Sequence, residues 1–158
     1  MINRMRIYYL LVPFVVIGTA LLGSYLTSLG LGDWYGSLNL PSFAPPGGFI
    51  GTVWSTIYLL TAICAFIFYA RAKEKKQKDR VTTLFLVNAF LNAFWSFLFF
   101  TNQLIGFAIL DCILLGFSVL ILIYLIYPVS KLAAGLLLPY IVWVGFATYL
   151  NYLIWTLN

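Results

Sequence analysis

The sequence carries five apolar runs, each close to the ~20 residues that a helix needs to cross the hydrocarbon of a bilayer, and only one long stretch of other character separates any two of them. They extend over about Ile7–Leu29, Phe49–Ala70, Val81–Phe100, Leu104–Tyr127 and Leu132–Leu157. In lipid every backbone N–H and C=O must find its partner inside the protein, and runs of this length leave the helix as the way to do it. The chain is therefore predicted to be an all-α integral membrane protein, a five-transmembrane-helix bundle built as a single domain over residues 1–158. Composition agrees, because 8% of the residues are charged, whereas soluble domains carry about 25%. The first run follows Arg4 and Arg6 and invites a signal-peptide reading. It exceeds the 7–15 residues of an h-region and no A-x-A site follows it, so it reads as a true span.

The nine Lys and Arg are distributed with a strong bias. Arg4 and Arg6 precede the first span, Arg71, Lys73, Lys75, Lys76, Lys78 and Arg80 lie between the second and third, and Lys131 lies between the fourth and fifth. In a five-span chain those places share one side, which the positive-inside rule assigns to the cytoplasm. The N-terminus is then cytoplasmic and the C-terminus outside. The net charge of +5 follows from this topology and needs no nucleic-acid partner, since no aromatic residues interleave with the basic run. The same charges suit anionic lipid headgroups. The chain has no His, which excludes His-based acid/base or nucleophilic chemistry and His-ligated metal or haem. Cys64 and Cys112 sit inside apolar runs without CxxC spacing and read as packing residues.

Residues 30–48, GLGDWYGSLNLPSFAPPGG, join the first two spans. Pro41, Pro45, Pro46 and five glycines exclude a regular helix there. Trp34, Tyr35, Leu38, Leu40 and Phe43 make the stretch too apolar for a solvated linker. It reads either as a lid over a binding site or as an interfacial loop resting on headgroups. By contrast, Thr101–Gln103 is so short that the third and fourth spans must be antiparallel neighbours.

Polar residues inside the spans must face the bundle interior or a cavity. Asn88, Asn92, Trp95 and Ser96 share one stripe of the third span, and Tyr140, Trp143, Ala147 and Asn151 share one stripe of the fifth. Gly51, Trp54, Ser55, Tyr58 and Thr61 lie on one side of the second. Hydrogen bonding between helices, at about 0.6–2 kcal/mol per bond, explains Asn and Ser. Trp54, Trp95 and Trp143 on the same stripes point instead to an apolar pocket with a few placed donors. Asp111, the one acidic residue within a span, reads as a hydrogen-bonded structural acid and not as a proton relay, because no Lys, Arg, His or second acid lies within a span to relay with. Ala89 and Ala93 form a small-xxx-small pair that suits close helix approach, within the chain or across a dimer.

Three ordered segments carry a family resemblance: WYGSLNLPSFAPPGGFIGTVWSTIY from Trp34 to Tyr58, NAFLNAFWSFLFF from Asn88 to Phe100, and LLLPYIVWVGFATYLNYLIWTLN from Leu136 to Asn158. In these the chain resembles the TspO/MBR family, the tryptophan-rich sensory and translocator (peripheral benzodiazepine receptor-like) proteins. The resemblance implies a five-helix fold, a homodimer, and a pocket open toward the loop between the first two spans. It implies porphyrins such as protoporphyrin IX, or benzodiazepine-site-like small molecules, as ligands, with no cofactor required beyond porphyrin as ligand or substrate. Pocket positions implied by the match are Tyr35, Trp54, Asn88, Asn92, Ser96, Tyr140, Trp143, Ala147 and Asn151. Tyr58 and Trp95 join them from their stripes. Trp54 and Trp143 match the tryptophans that support light- and oxygen-dependent porphyrin breakdown in bacterial members. Phe43 stands where Trp is usual and Asn88 where many members have Gln. Tyr152 is followed by LIWTLN with no basic residue, so the sterol motif proposed for this helix end is incomplete.

Three functions compete at this level. The first is a membrane receptor or sensor that binds tetrapyrroles and promotes their photo-oxidative degradation. The second is a transporter of porphyrins or other amphiphiles, against which stands the absence of an internal repeat and of an ionisable chain. The third is a structural or regulatory membrane partner.

Overall fold

In the computed structural model the described residues are 2–158, with side chains described from Ile7 onward. The side chains of Arg4 and Arg6, two of the nine cations behind the topology reading, lie outside the described ones. The elements are α1 (Ile2–Ser28), α2 (Asp33–Ser37), α3 (Gly47–Arg71), α4 (Lys75–Ser96) continued by a π-helical turn (Phe97–Thr101), α5 (Ile105–Ile126), α6 (Lys131–Gly135) and α7 (Leu138–Leu157). Among the described residues five helical stretches are long and apolar enough to cross a membrane: Ile7–Ser28, Gly47–Arg71, Lys75–Thr101, Ile105–Ile126 and Lys131–Leu157.

Helix α5 is the most hydrophobic of these and the most enclosed. Ala108, Cys112, Leu115, Val119, Leu122 and Ile126 recur at spacings of three and four and form its buried stripe. Phe107, Leu110, Leu114, Phe117, Ile121 and Tyr124 recur in the same way on the opposite, exposed stripe. In water that second stripe would be a liability; against lipid tails it costs nothing. α5 packs on α4 and α7, while α1 lies against α3 and α4. Ala93 is buried within the chain.

Both ends of the bundle are tied by side chains. At the basic end, Arg71 Nη1 donates to Ser130 Oγ at 3.0 Å, and Lys78 Nζ sits 5.9 Å from the centre of the Tyr8 ring. These contacts gather the start of α1, the α3–α4 turn and the α5–α6 turn at one end. At the other end, Thr101 Oγ1 donates to the Leu26 carbonyl at 3.3 Å. There Gly30 is buried against the π-helical turn, with its α-carbon so placed that a Cβ would lie 2.7 Å from the Phe100 carbonyl carbon. Glycine is the residue that permits this approach.

Two expectations are corrected. The loop of residues 30–48 contains a short helix, α2, which ends before Pro41, the first residue that forbids one. The fifth span is not continuous: it breaks into α6 and α7 at Leu136–Leu137. Pro139 has no N–H to give the Gly135 carbonyl, and it sits instead in the first turn of α7, where that group is not needed.

Candidate functional site: an aromatic cavity inside the bundle

A cavity of about 550 Å³ opens between α1, α3, α4, α5 and α7, on the side of the loop. That volume falls inside the ~300–1,000 Å³ range of small-molecule sites. Trp54 enters from α3, Trp95 from α4 and Trp143 from α7, and Tyr35 closes over from α2. Tyr58, Asn92, Ser96, Ala147 and Asn151 also line it.

The aromatic side chains hold one another in place. Trp54 meets Tyr140 edge-on at 6.0 Å and lies tilted on Tyr58 at 5.8 Å. Trp95 stacks on Phe99 at 5.2 Å, and Trp143 leans on Phe146 at 5.3 Å. The loop is seated through Trp34, edge-on to Phe99 at 5.4 Å, and through Tyr35, 5.6 Å from Phe100. Burial pushes the Tyr35 hydroxyl above the ordinary tyrosine range, so it remains a protonated donor. The π-helical turn places Phe99 and Phe100 side by side beneath the loop, 4.9 Å apart. One extra residue per turn re-aims side chains in this way, and such turns recur at functional sites.

The floor of the cavity is a hydrogen-bonded chain across four helices. Tyr58 Oη donates to Asn92 Oδ1 at 2.6 Å, and Asn92 Nδ2 donates to Tyr140 Oη at 3.2 Å. Tyr140 Oη donates to Asn88 Oδ1 at 3.1 Å, and Asn88 Nδ2 donates to Ser118 Oγ at 2.8 Å. Ser118 passes its proton to the Leu115 carbonyl at 2.7 Å. Asn88 and Tyr140, grouped by the sequence reading with the pocket residues, lie in this floor and not on the cavity wall. Thr61, on the same stripe of α3, also lies beyond the floor.

Two donors on the wall have no acceptor. The indole nitrogens of Trp95 and Trp143 are buried without a hydrogen-bond partner among the described residues. Asp111 corrects an expectation: Oδ2 of its buried carboxyl is unpartnered, and no hydrogen bond to Asp111 is formed among the described residues. Its sequence neighbour takes the nearby amide, since Asn151 Nδ2 donates to Cys112 Sγ at 3.4 Å. Asn88 pairs with Ser118 across the antiparallel α4 and α5. Seven residues further along both helices, the same register brings Trp95 and Asp111 to one level.

Sequence reasoning missed one wall. Ala20, Gly23, Ser24 and Thr27 of α1 line the cavity, and Thr27 Oγ1 donates to Ser96 Oγ at 3.3 Å. Their spacing of three, four and seven was the available signal. Cys112, read as packing, is also a wall residue.

A family model described as the TspO/MBR family matches residues 9–156. The chain is 35% identical over 158 residues to the tryptophan-rich protein TspO of Archaeoglobus fulgidus, covering 99% of each chain. It is 36% identical over 125 residues to the tryptophan-rich protein TspO of Bacillus cereus, covering 79% of this chain and 80% of that one. It is 33% identical over 126 residues to the human translocator protein, covering 79% of this chain and 75% of that one.

Proposed function

The chain belongs to the TspO/MBR family, and on that premise we propose that its large cavity binds a flat, carboxylate-bearing tetrapyrrole of the protoporphyrin IX type. The observation that carries this reading is the convergence of three tryptophans, from three helices, on one cavity of about 550 Å³. A macrocycle offers two broad π faces, which indole and phenol rings stack against or meet edge-on. Its carboxylates are acceptors, and the Trp95 and Trp143 N–H groups are donors that the described residues leave unpaired. Without His an iron porphyrin gains no imidazole ligand, so the metal-free ring is the favoured form.

The same reading extends to light-dependent loss of the bound ring. An excited porphyrin passes energy to dioxygen or takes an electron from an oxidisable indole, and Trp54 and Trp143 are the indoles assigned to that step. The protein contributes orientation and the exclusion of other reactions. A transporter of porphyrins or amphiphiles is the competing reading. The hydrogen-bonded floor through Tyr58, Asn92, Tyr140 and Asn88 favours binding over passage. The test is titration of the purified protein with protoporphyrin IX, followed by quenching of tryptophan fluorescence. Saturable quenching supports the reading; a folded protein whose fluorescence is unmoved discards it. Counter-flux of porphyrin in proteoliposomes would favour the transporter.

A further inference from the structure

Beneath the floor lies a second, smaller cavity of about 60 Å³, half open between α1, α3 and α4, with a wall that is mainly apolar (Leu11, Val15, Phe85, Leu86) and carries a few polar groups. It is lined at its upper end by Tyr58 and Asn92, in its middle by Thr61, and at its lower end by Tyr69 and Thr82. Residues 58, 61, 65 and 69 of α3 all line it, so it runs along that helix for about 16 Å at 1.5 Å per residue. At its lower end Tyr69 carries the ring of Tyr8, stacked at 4.5 Å and 11°. Beside them Tyr69 Oη and Thr82 Oγ1 share a hydrogen bond of 2.8 Å, and Thr82 Oγ1 also lies 2.8 Å from the Lys78 carbonyl at the basic end.

One group in this cavity is out of balance. Thr61 Oγ1 is buried and has no hydrogen-bond partner among the described residues. A threonine in a helix ordinarily gives its proton to the carbonyl four residues back, as Thr19 does to Val15 on the facing wall at 2.8 Å. An unpaired buried hydroxyl is costly, and water is its usual remedy where there is room. A water needs roughly 10–15 Å³ measured in this way, so 60 Å³ accommodates about four.

We propose that this cavity is a hydrated site: a short file of water, held at Thr61 Oγ1, that joins the floor of the main cavity to the basic end of the bundle. The Tyr58 and Asn92 groups bound it above and the Tyr69–Thr82 pair bounds it below, so the file has polar partners at both ends and at its middle. Its consequence is that the Asn88 amide, which does not line the main cavity, exchanges protons with solvent by way of the lower cavity, although its side chain is almost fully buried. The site does not depend on the identity of the ligand above it.

The test uses the ligand-free protein in bilayers with deuterated acyl chains, by solid-state NMR with magnetisation started on water. Water signal is expected to reach Thr61 and Tyr69, which do not line the main cavity, and the side-chain amide of Asn88 to exchange with deuterium. Thr61→Leu, which fills the cavity, is expected to slow that exchange at least tenfold. Unchanged exchange, or contact of Thr61 with acyl chains instead of water, overturns the proposal. Thr61→Val keeps the shape and removes the hydroxyl. If water is bound there, its thermal midpoint falls by about 2–4 °C, the shift expected for one ordinary hydrogen bond in a chain of this size. A rise means a dry cavity and also overturns it.

Discussion

Asn39 and Asn158 exchange hydrogen bonds at the loop end of the bundle. The Asn39 N–H donates to Asn158 Oδ1 at 2.9 Å, and Asn158 Nδ2 donates back to the Asn39 carbonyl at 3.1 Å. Asn39 Nδ2 also reaches the Leu157 carbonyl at 3.3 Å, and Asn158 Nδ2 the Ile154 carbonyl at 2.8 Å. One side chain thus clasps the middle of the loop and caps α7 together, and Phe43 stacked on Tyr149 at 6.3 Å and 7° supports the same junction. The loop that joins the first two spans is thereby tied to the end of the last one.

Asn158→Ala is expected to loosen that loop without disturbing the spans. The bonds are exposed, so their loss is worth about 1 kcal/mol, or roughly a fivefold change in an equilibrium. Hydrogen exchange at the Asn39 amide should accelerate by about that factor, and a bound porphyrin should dissociate faster. Exchange as slow as in the unaltered protein would mean that Phe43 and the α2 contacts hold the loop by themselves.

Gly30→Ala should be more damaging than its size suggests. The added methyl meets the backbone of Phe100, which cannot rotate away as a side chain could. Overpacking of this kind costs about 1–3 kcal/mol. A lowered thermal midpoint in detergent checks it, with Gly18→Ala as a control, since a Cβ there meets nothing within 4 Å.

The spans were legible in the sequence because lipid imposes one rule on every residue of a run, and hydropathy reads that rule directly. The stripes of Trp54, Trp95 and Trp143 were legible because helical spacing places each tryptophan on the polar face of its own helix. What decides between wall and floor is tertiary. Asn88 belongs to the floor because Ser118 of α5 takes its amide, and a lone Ser in an apolar run gives no advance sign of that role. The wall from α1 went unread because Ala20, Gly23 and Ser24 contribute to a span as mild apolar filler, and their smallness matters only once a cavity lies beside them. The π-helical turn has no periodicity signal, since it is a single added residue.

The orientation expected from the basic residues is open to test; Arg71, bonded to Ser130, and Lys78, over Tyr8, lie at one end of the bundle. A reporter fused after Asn158 is expected to be active in the outside compartment, and one placed in residues 72–74 to be active in the cytoplasm. Opposite activities would reverse the positive-inside assignment.

Asn92→Leu is expected to lower both porphyrin affinity and stability. Asn92 accepts from Tyr58 and donates to Tyr140, so the change strands the Tyr58 hydroxyl at about 1–3 kcal/mol, while the Tyr140 hydroxyl keeps its bond to Asn88. Tyr58→Phe removes that hydroxyl along with the need for its partner, so adding it to Asn92→Leu should restore part of the lost stability. Non-additive thermal midpoints in the double variant are the measure of that coupling.

The last prediction separates a binder from a photochemical enzyme. The chain has no His. The proposed turnover of a bound porphyrin draws on the ring's own absorption of light, on dioxygen, and on an oxidisable neighbour. Trp54 and Trp143 stand on α3 and α7, on different walls of one cavity, and each is braced by other aromatic rings: Trp54 by Tyr58 and Tyr140, Trp143 by Phe49 and Phe146. Phenylalanine at both positions retains most of the apolar contact and is far harder to oxidise. The double variant is expected to bind protoporphyrin IX within about tenfold of the unaltered affinity, a loss of about 1.4 kcal/mol at most. Light-dependent decay of the porphyrin absorbance in the presence of oxygen should nevertheless slow strongly, relative to dark samples and to free porphyrin. Decay that continues at the original rate in the double variant would leave the two indoles as packing, and the cavity as a binding site alone.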